Sequence, residues 1–192
     1  LRKSTLRGLP IPGVAERLVV KLFADDTTVF LSEDDDYEDV QEICSTWCRA
    51  SRARFNVEKT EILPIGTAEY RAGVIATRKL RPDASQISRG VNIVKDGASI
   101  RSLGAWIGNG ANQSTPWRPI LEKIKSNLEK WSRGRPSLNG RRLIVNMEVG
   151  GRSQFLTMAQ GMPESICKSV VSTVARFVWG GDAHPRISRE QL

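Results

Sequence analysis

Histidine occurs once in this sequence, at His184, and cysteine three times among 192 residues. A lone imidazole beside Pro185, in a polar C-terminal stretch, leaves almost no support for a Ser-His-Asp triad or a histidine-built metal site. Three cysteines, an odd number, argue against a disulfide framework and for a reducing compartment. Long apolar runs are also missing. No stretch approaches the roughly 18 residues of a membrane helix, so no membrane partner is expected. The first residues lack a charged-then-apolar signal pattern, which predicts an intracellular protein of the nucleus or cytoplasm that is not secreted. No internal repeat is present.

Acidic residues thin out along the chain. Residues 1–70 hold nine Lys/Arg and 13 Asp/Glu, a net of −4, whereas residues 71–192 hold 20 and eight, a net of +12. Such asymmetry suggests a polyanion held by one part and metal chemistry in the other, the alternative being a basic surface that serves only solubility. An apolar content of 40% is enough for a real core, in one large domain or two small ones.

The segment Leu18-Val-Val-Lys-Leu-Phe-Ala-Asp-Asp-Thr-Thr-Val-Phe-Leu31 organises the reading. Its flanking runs of Val, Leu, Phe and Thr predict two strands, and the adjacent acids Asp25 and Asp26 predict a two-residue hairpin turn. Two like charges this close repel each other unless a cation lies between them, so a divalent metal is one explanation. A solvated turn is the other, because Asp-Asp is an ordinary turn dipeptide. Before the hairpin, the Pro- and Gly-rich residues 8–13 predict a loop. After it, six acids lie between Glu33 and Asp39, but they lack the Gly and Glu spacing of a helix–loop–helix calcium site. They suit the start of a helix over 35–54, capped by Ser32 or an early Asp, with Tyr37, Val40, Ile43, Cys44, Trp47 and Cys48 on its apolar stripe. Cys44 and Cys48 lack a second ligand pair for zinc and read as core thiols. Lys59 lies between Glu58 and Glu61, and its plain reading is a surface lysine.

Residues 66–90 show little periodicity and predict an extended connector. Val91–Val94 and Ala98–Ile107 predict a second hairpin around Asp96-Gly97. Gly104 within its second strand points to a close backbone approach, a bulge or a plain structural glycine. From Gly108 the period becomes helical. One helix carries Trp117, Ile120, Leu121, Ile124, Leu128 and Trp131 inward, with Ser114 or Thr115 as cap and Pro116 in the first turn. A second starts near Ser137 and is kinked or interrupted at Gly150-Gly151. A third spans about 163–179, with Ile166, Cys167, Val170, Val174, Phe177 and Val178 inward. Three antiparallel helices with short loops predict a bundle.

In order along the chain, Phe23-Ala-Asp-Asp26, Phe55-Asn-Val-Glu-Lys-Thr60, Ser102-Leu-Gly-Ala-Trp-Ile-Gly108, Trp117 to Trp131, Asn139-Gly-Arg-Arg142, Met162-Pro163 and Phe177-Val-Trp179 together resemble the back half of a LINE-type (non-LTR) retrotransposon reverse transcriptase, of a fungal element. The resemblance runs from about residue 8 to 180. Ala-Asp-Asp alone is a weak signal; the ordered set is a specific one.

The resemblance implies an α+β fold. Residues 1–110 would be the C-terminal part of a polymerase palm, antiparallel hairpins with a packed helix. Residues 111–180 would be an all-α thumb bundle and residues 181–192 a polar tail. It implies that Asp25 and Asp26 are catalytic and metal-ligating, Asp25 directly and Asp26 in support, toward two Mg²⁺ (or Mn²⁺) ions in the complete enzyme. Lys59 would lie near the triphosphate of an incoming dNTP. Leu103, Gly104, Ala105 and Trp106 would form a primer grip. Arg118, Lys123, Lys125, Arg133, Arg135, Arg141 and Arg142 would hold an RNA template and DNA primer by their phosphates. A palm also needs an upstream aspartate, and no Asp precedes Asp25 here. The sequence is therefore read as a fragment of a polyprotein whose fingers, upstream palm and endonuclease segments are missing, inactive as a polymerase alone, and expected to expose apolar surface. A non-catalytic basic nucleic-acid-binding module, an inert relic of a decayed element, or an unrelated acidic-turn metalloprotein are the alternatives.

Overall fold

The computed structural model describes residue 1 and residues 3–180. The predicted polar tail, including His184, lies outside the described residues. The chain divides into two units, one of Leu1–Leu103 with Gly108–Gly110, the other of Gly104–Ile107 with the residues from Ala111 onward. Both helices and short strand pairs are present, so the fold is mixed α and β.

The first unit opens with two antiparallel pairs. Strand β1 (Leu9–Pro10) pairs with β2 (Arg17–Leu18), and β3 (Val20–Phe23) with β4 (Asp26–Val29). Helix α1 (Tyr37–Ser51) follows, starting two residues later and ending three residues earlier than predicted. Its cap is Asp36, whose side chain accepts from the Glu38 N–H at 3.0 Å. The neighbouring Asp35, read as part of the acidic helix start, lies one residue before that cap and is 4% exposed. It accepts from the backbone N–H groups of Arg7, Ser32 and Gly8 at 2.7, 2.8 and 2.9 Å. Of the predicted α1 stripe, Val40 is buried, Tyr37, Ile43, Cys44 and Cys48 are half-buried, and Trp47 is 52% exposed.

The predicted connector at 66–90 holds a helix, α2 (Ala68–Thr77), and much of the core. Thr67 caps it through its hydroxyl, which accepts from the Tyr70 N–H at 3.2 Å. The predicted pairing of Val91–Val94 with the segment after Asp96-Gly97 is also overturned. Strand β5 (Glu61–Ile62) pairs in parallel with β6 (Asn92–Ile93), and α2 lies in the connection that a parallel pair requires. Ile87, Val91 and Ile93 form the buried cluster, with Tyr37, Ile62 and Ile75 packed against it. Arg78 fixes this loop: its guanidinium donates to the carbonyls of Ile87, Val91 and Ser88. Periodicity misses the region because these contacts are non-local and α2 buries one residue fully, Val74.

Strands β7 (Ile100–Ser102) and β8 (Ala105–Ile107) replace the single predicted strand 98–107. The joining residues Leu103 and Gly104 both have positive φ, 49° and 87°, the pattern of a type I′ turn.

The second unit is helical: α3 (Trp117–Ser132), α4 (Leu138–Val145), a π-helical turn (Asn146–Gly150), α5 (Gly151–Gln160) and α6 (Glu164–Val178). Pro116 occupies the cap position of α3 without a side-chain hydrogen bond, so neither Ser114 nor Thr115 caps it. Ser137 caps α4 by accepting from the Gly140 N–H at 3.2 Å. Ile124 and Leu128 from α3, Ile144 from α4 and Phe177 from α6 make one core cluster; Trp117, Leu156 and Ile166 make another. Two residues placed inward by periodicity are not there: Trp131 is 46% exposed and Cys167 is exposed. Cys167 follows buried Ile166 and is turned about 100° from it around the helix, and Trp131 lies in the last turn of α3.

Candidate functional site

Hairpin β3–β4 owes its strands to Val, Leu, Phe and Thr, but its turn is shifted by one residue from the Asp-Asp expectation. Phe23 pairs with Asp26, which leaves Ala24 and Asp25 as the turn. Ala24 has φ 50° and Asp25 does not have a positive φ, which fits a type II′ rather than a type I′ turn. The two acids are therefore in different structural positions, Asp25 at the tip and Asp26 as the first residue of β4. Both are exposed, as are the apolar side chains of Leu22 and Phe23. Among the described residues, no ion pair involves either carboxylate.

Mg²⁺ takes one or two carboxylates and completes its shell with water and substrate phosphates. Asp25 and Asp26 suit that role as adjacent, solvent-facing, hard oxygen donors without competing cations. They do not make a protein cage: among the described residues, no group of three or more His, Cys, Asp or Glu converges.

Lys59 ends a 3₁₀ turn (Val57–Lys59) that is capped by Asn56, whose side-chain oxygen accepts from the Lys59 N–H at 3.2 Å. Its ammonium is exposed and forms no ion pair among the described residues. In the predicted grip, Leu103 belongs to the first unit and Gly104, Ala105 and Trp106 to the second. The close approach at Gly104 is to its own unit. A Cβ there would meet Phe155 Cε1 at 2.8 Å, and the Trp106 N–H donates to Gln160 Oε1 at 2.9 Å.

The predicted phosphate-binding side chains differ in availability. Arg118, Lys123 and Lys125 are exposed on α3, Arg133 and Arg135 follow it, and Arg142 is exposed on α4. Lys123 also lines a shallow groove of about 390 Å³ with Pro119, Ile120, Gly151 and Arg152. Arg141 is engaged elsewhere. Half-buried, it donates to the carbonyls of Val178, Phe177 and Pro136 at 2.8, 3.1 and 3.1 Å, two of them at the end of α6. That satisfies carbonyls a helix end leaves open and holds α4 against α6.

Glu148 escaped the sequence reading. It is 7% exposed, within the π-helical turn, and its carboxylate accepts from Asn127 Nδ2 at 2.7 Å, Arg152 Nε at 2.9 Å and Trp131 Nε1 at 3.2 Å. The Asn127 and Arg152 donors hold its pKa below the ordinary glutamate value against the opposing effect of burial. Its signal was an acid on the apolar stripe one turn after Ile144, with a base one turn further on at Arg152. No protein-family model matches the chain, and no curated protein matches it.

Proposed function

We propose that this chain is palm and thumb sequence of an RNA-directed DNA polymerase of the non-LTR retrotransposon type. The observation that carries the reading is the exposed acidic pair in Phe23-Ala-Asp-Asp26, Asp25 at the tip of an antiparallel hairpin and Asp26 opening its second strand, both free of ion pairing among the described residues. The order of motifs after it supports the same reading. Within it, Asp25 would ligate Mg²⁺ directly and Asp26 would support it. When bound, Mg²⁺ supplies activation of the primer 3′-hydroxyl and charge stabilisation of the leaving pyrophosphate. Lys59 offers a proton and a positive charge to the triphosphate. The Leu103–Trp106 turn positions the primer, and the exposed bases of α3 and α4 hold the duplex by phosphates without reading sequence. The second half, with its net charge of +12, equally supports binding of nucleic acid without chemistry.

The test uses Mn²⁺ electron paramagnetic resonance on the chain with a primer–template and a matched dNTP. The expected result is an immobilised Mn²⁺ signal that needs both the nucleic acid and Asp25. Signal unchanged in Asp25→Asn would overturn the polymerase reading; duplex binding that falls steeply with salt while Mn²⁺ stays unbound would leave a binding module. Primer extension by these 192 residues alone is expected to be absent, because they offer two of the three carboxylates such a site uses.

A further inference from the structure

The C-terminal end of α1 and the loop after it carry a feature to which the polymerase reading assigns no role, although Phe55 opens one of its motifs. Between Trp47 and Phe55 the sequence is Trp-Cys-Arg-Ala-Ser-Arg-Ala-Arg-Phe, three arginines and no acid, inside the acidic half of the chain. The chain reverses at Arg52, whose φ of 60° is left-handed. Ser51 shapes the reversal, its hydroxyl donating to the Trp47 carbonyl at 2.8 Å and accepting from the Ala53 N–H at 3.3 Å. The result brings Phe55 back onto Trp47, ring centroids 5.5 Å apart and planes tilted by 46°. Both rings stay open to solvent, Trp47 by 52% and Phe55 by 41%. Arg49, Arg52 and Arg54 are exposed, and none forms an ion pair among the described residues. Glycine would serve the left-handed cap at lower conformational cost; arginine there adds a third cation to the segment between the rings.

We propose that this patch is a platform for single-stranded nucleic acid. Exposed aromatic rings stack on bases that are not already paired, and neighbouring guanidiniums neutralise the phosphates between them. Charge selects this occupant over an acid-free apolar one, since burying three unpaired arginines against a neutral protein face is unfavourable. Stacking selects a single strand over a duplex, whose bases are closed within the helix. The platform stands independently of the acidic hairpin and shares none of its residues.

Fluorescence anisotropy of the full chain with a labelled oligothymidylate, longer than the roughly 4–16 nucleotides such surfaces cover, tests it. Trp47→Ala and Phe55→Ala should each weaken single-strand binding about ten-fold, while Trp47→Phe retains most of it. Replacing Arg49, Arg52 and Arg54 by Gln should reduce the slope of log affinity against log salt by about 0.7 per arginine. Binding of a blunt duplex should be unchanged by Trp47→Ala. Single-strand affinity within about two-fold of wild type in the Trp47→Ala, Phe55→Ala double variant overturns the proposal, as does absence of single-strand binding by the wild-type chain at low salt. Because both rings are exposed, circular dichroism of the variants should match wild type. The Mn²⁺ signal at Asp25 reads the polymerase reading separately.

Discussion

Asp35 is the side chain whose loss should most damage the first unit without touching a proposed functional residue. Its carboxylate gathers the N–H groups of Arg7, Ser32 and Gly8 and the hydroxyl of Ser32, tying the segment before β1 to the loop before α1. Asp35→Ala removes every acceptor at once. The Gly8 N–H is buried and would be left without a partner, whereas those of Arg7 and Ser32 are partly exposed and can turn to water. An unsatisfied buried donor costs about 1–3 kcal/mol, and the two partly exposed bonds add a fraction of that, so a loss of about 2–4 kcal/mol is expected. Asp34 provides the control. It pairs with Arg7 at 2.6 Å, but the two side chains are 60% and 56% exposed, so Asp34→Ala should cost at most about 1 kcal/mol.

Urea denaturation gives the loss, and amide hydrogen exchange locates it. Exchange at Gly8 should accelerate in Asp35→Ala and stay near wild type in Asp34→Ala. Burial opposes ionisation of Asp35, but the three backbone donors outweigh it and hold its folded pKa below 3.8. A depressed carboxylate contributes stability above its unfolded pKa and loses it as pH falls through the folded value. The difference between wild type and Asp35→Ala should therefore be full above about pH 3.8 and shrink below it. Equal midpoints for the Asp34 and Asp35 variants, or a difference that grows in acid, would refute the reasoning.

Glu148→Gln should destabilise the helical unit and flatten its acid limb, because the stabilisation from the depressed Glu148 carboxylate is present above about pH 4.5 and lost as pH falls below it; helical circular dichroism against pH reads this directly. Thr67→Ala removes the α2 cap and should cost about 1 kcal/mol by urea denaturation, with restoration in Thr67→Ser. Gly104→Ala forces a side chain into φ 87° and toward Phe155, so a loss of about 1–2 kcal/mol from the backbone alone is expected in thermal melts, and truncating Phe155 as well should not rescue it.

Legibility in the sequence followed the range of the interactions. Helices α3 to α6 were readable because the helical period is itself local: Trp117, Ile120, Ile124 and Leu128, and likewise Ile166 and Val170, repeat at three- and four-residue steps whatever element they pack against. The π-helical turn ending at Gly150 falls where the glycine pair predicted an interruption. Hairpin β3–β4 was readable for a similar reason, its two strands being joined by a two-residue turn. The β5–β6 pair was not, because its register joins Glu61 to Asn92 and Ile62 to Ile93 across a connection that looked featureless. Arg78 and Asp35 were invisible because backbone carbonyls and N–H groups, which carry no sequence signature, are their partners.

The one-residue shift of the hairpin turn matters for the acidic pair. With Asp25-Asp26 as the turn, both carboxylates would belong to turn residues. With Ala24-Asp25 as the turn, Asp26 is locked by its register against Phe23, while Asp25 stands at the tip. Ala24 adopts φ 50° there, a conformation that suits glycine better, so the tip holds some backbone strain in order to present Asp25 outward. The two acids therefore differ in backbone setting, the one distinction between them on which the proposed roles draw. On the proposed function, the exposed pair alone would be a weak metal site. Two solvated carboxylates gain little by sharing one ion until a phosphate brings the remaining oxygens and displaces water. Nucleic acid and metal should therefore bind this hairpin together or hardly at all, which is why the Mn²⁺ signal is expected to depend on both.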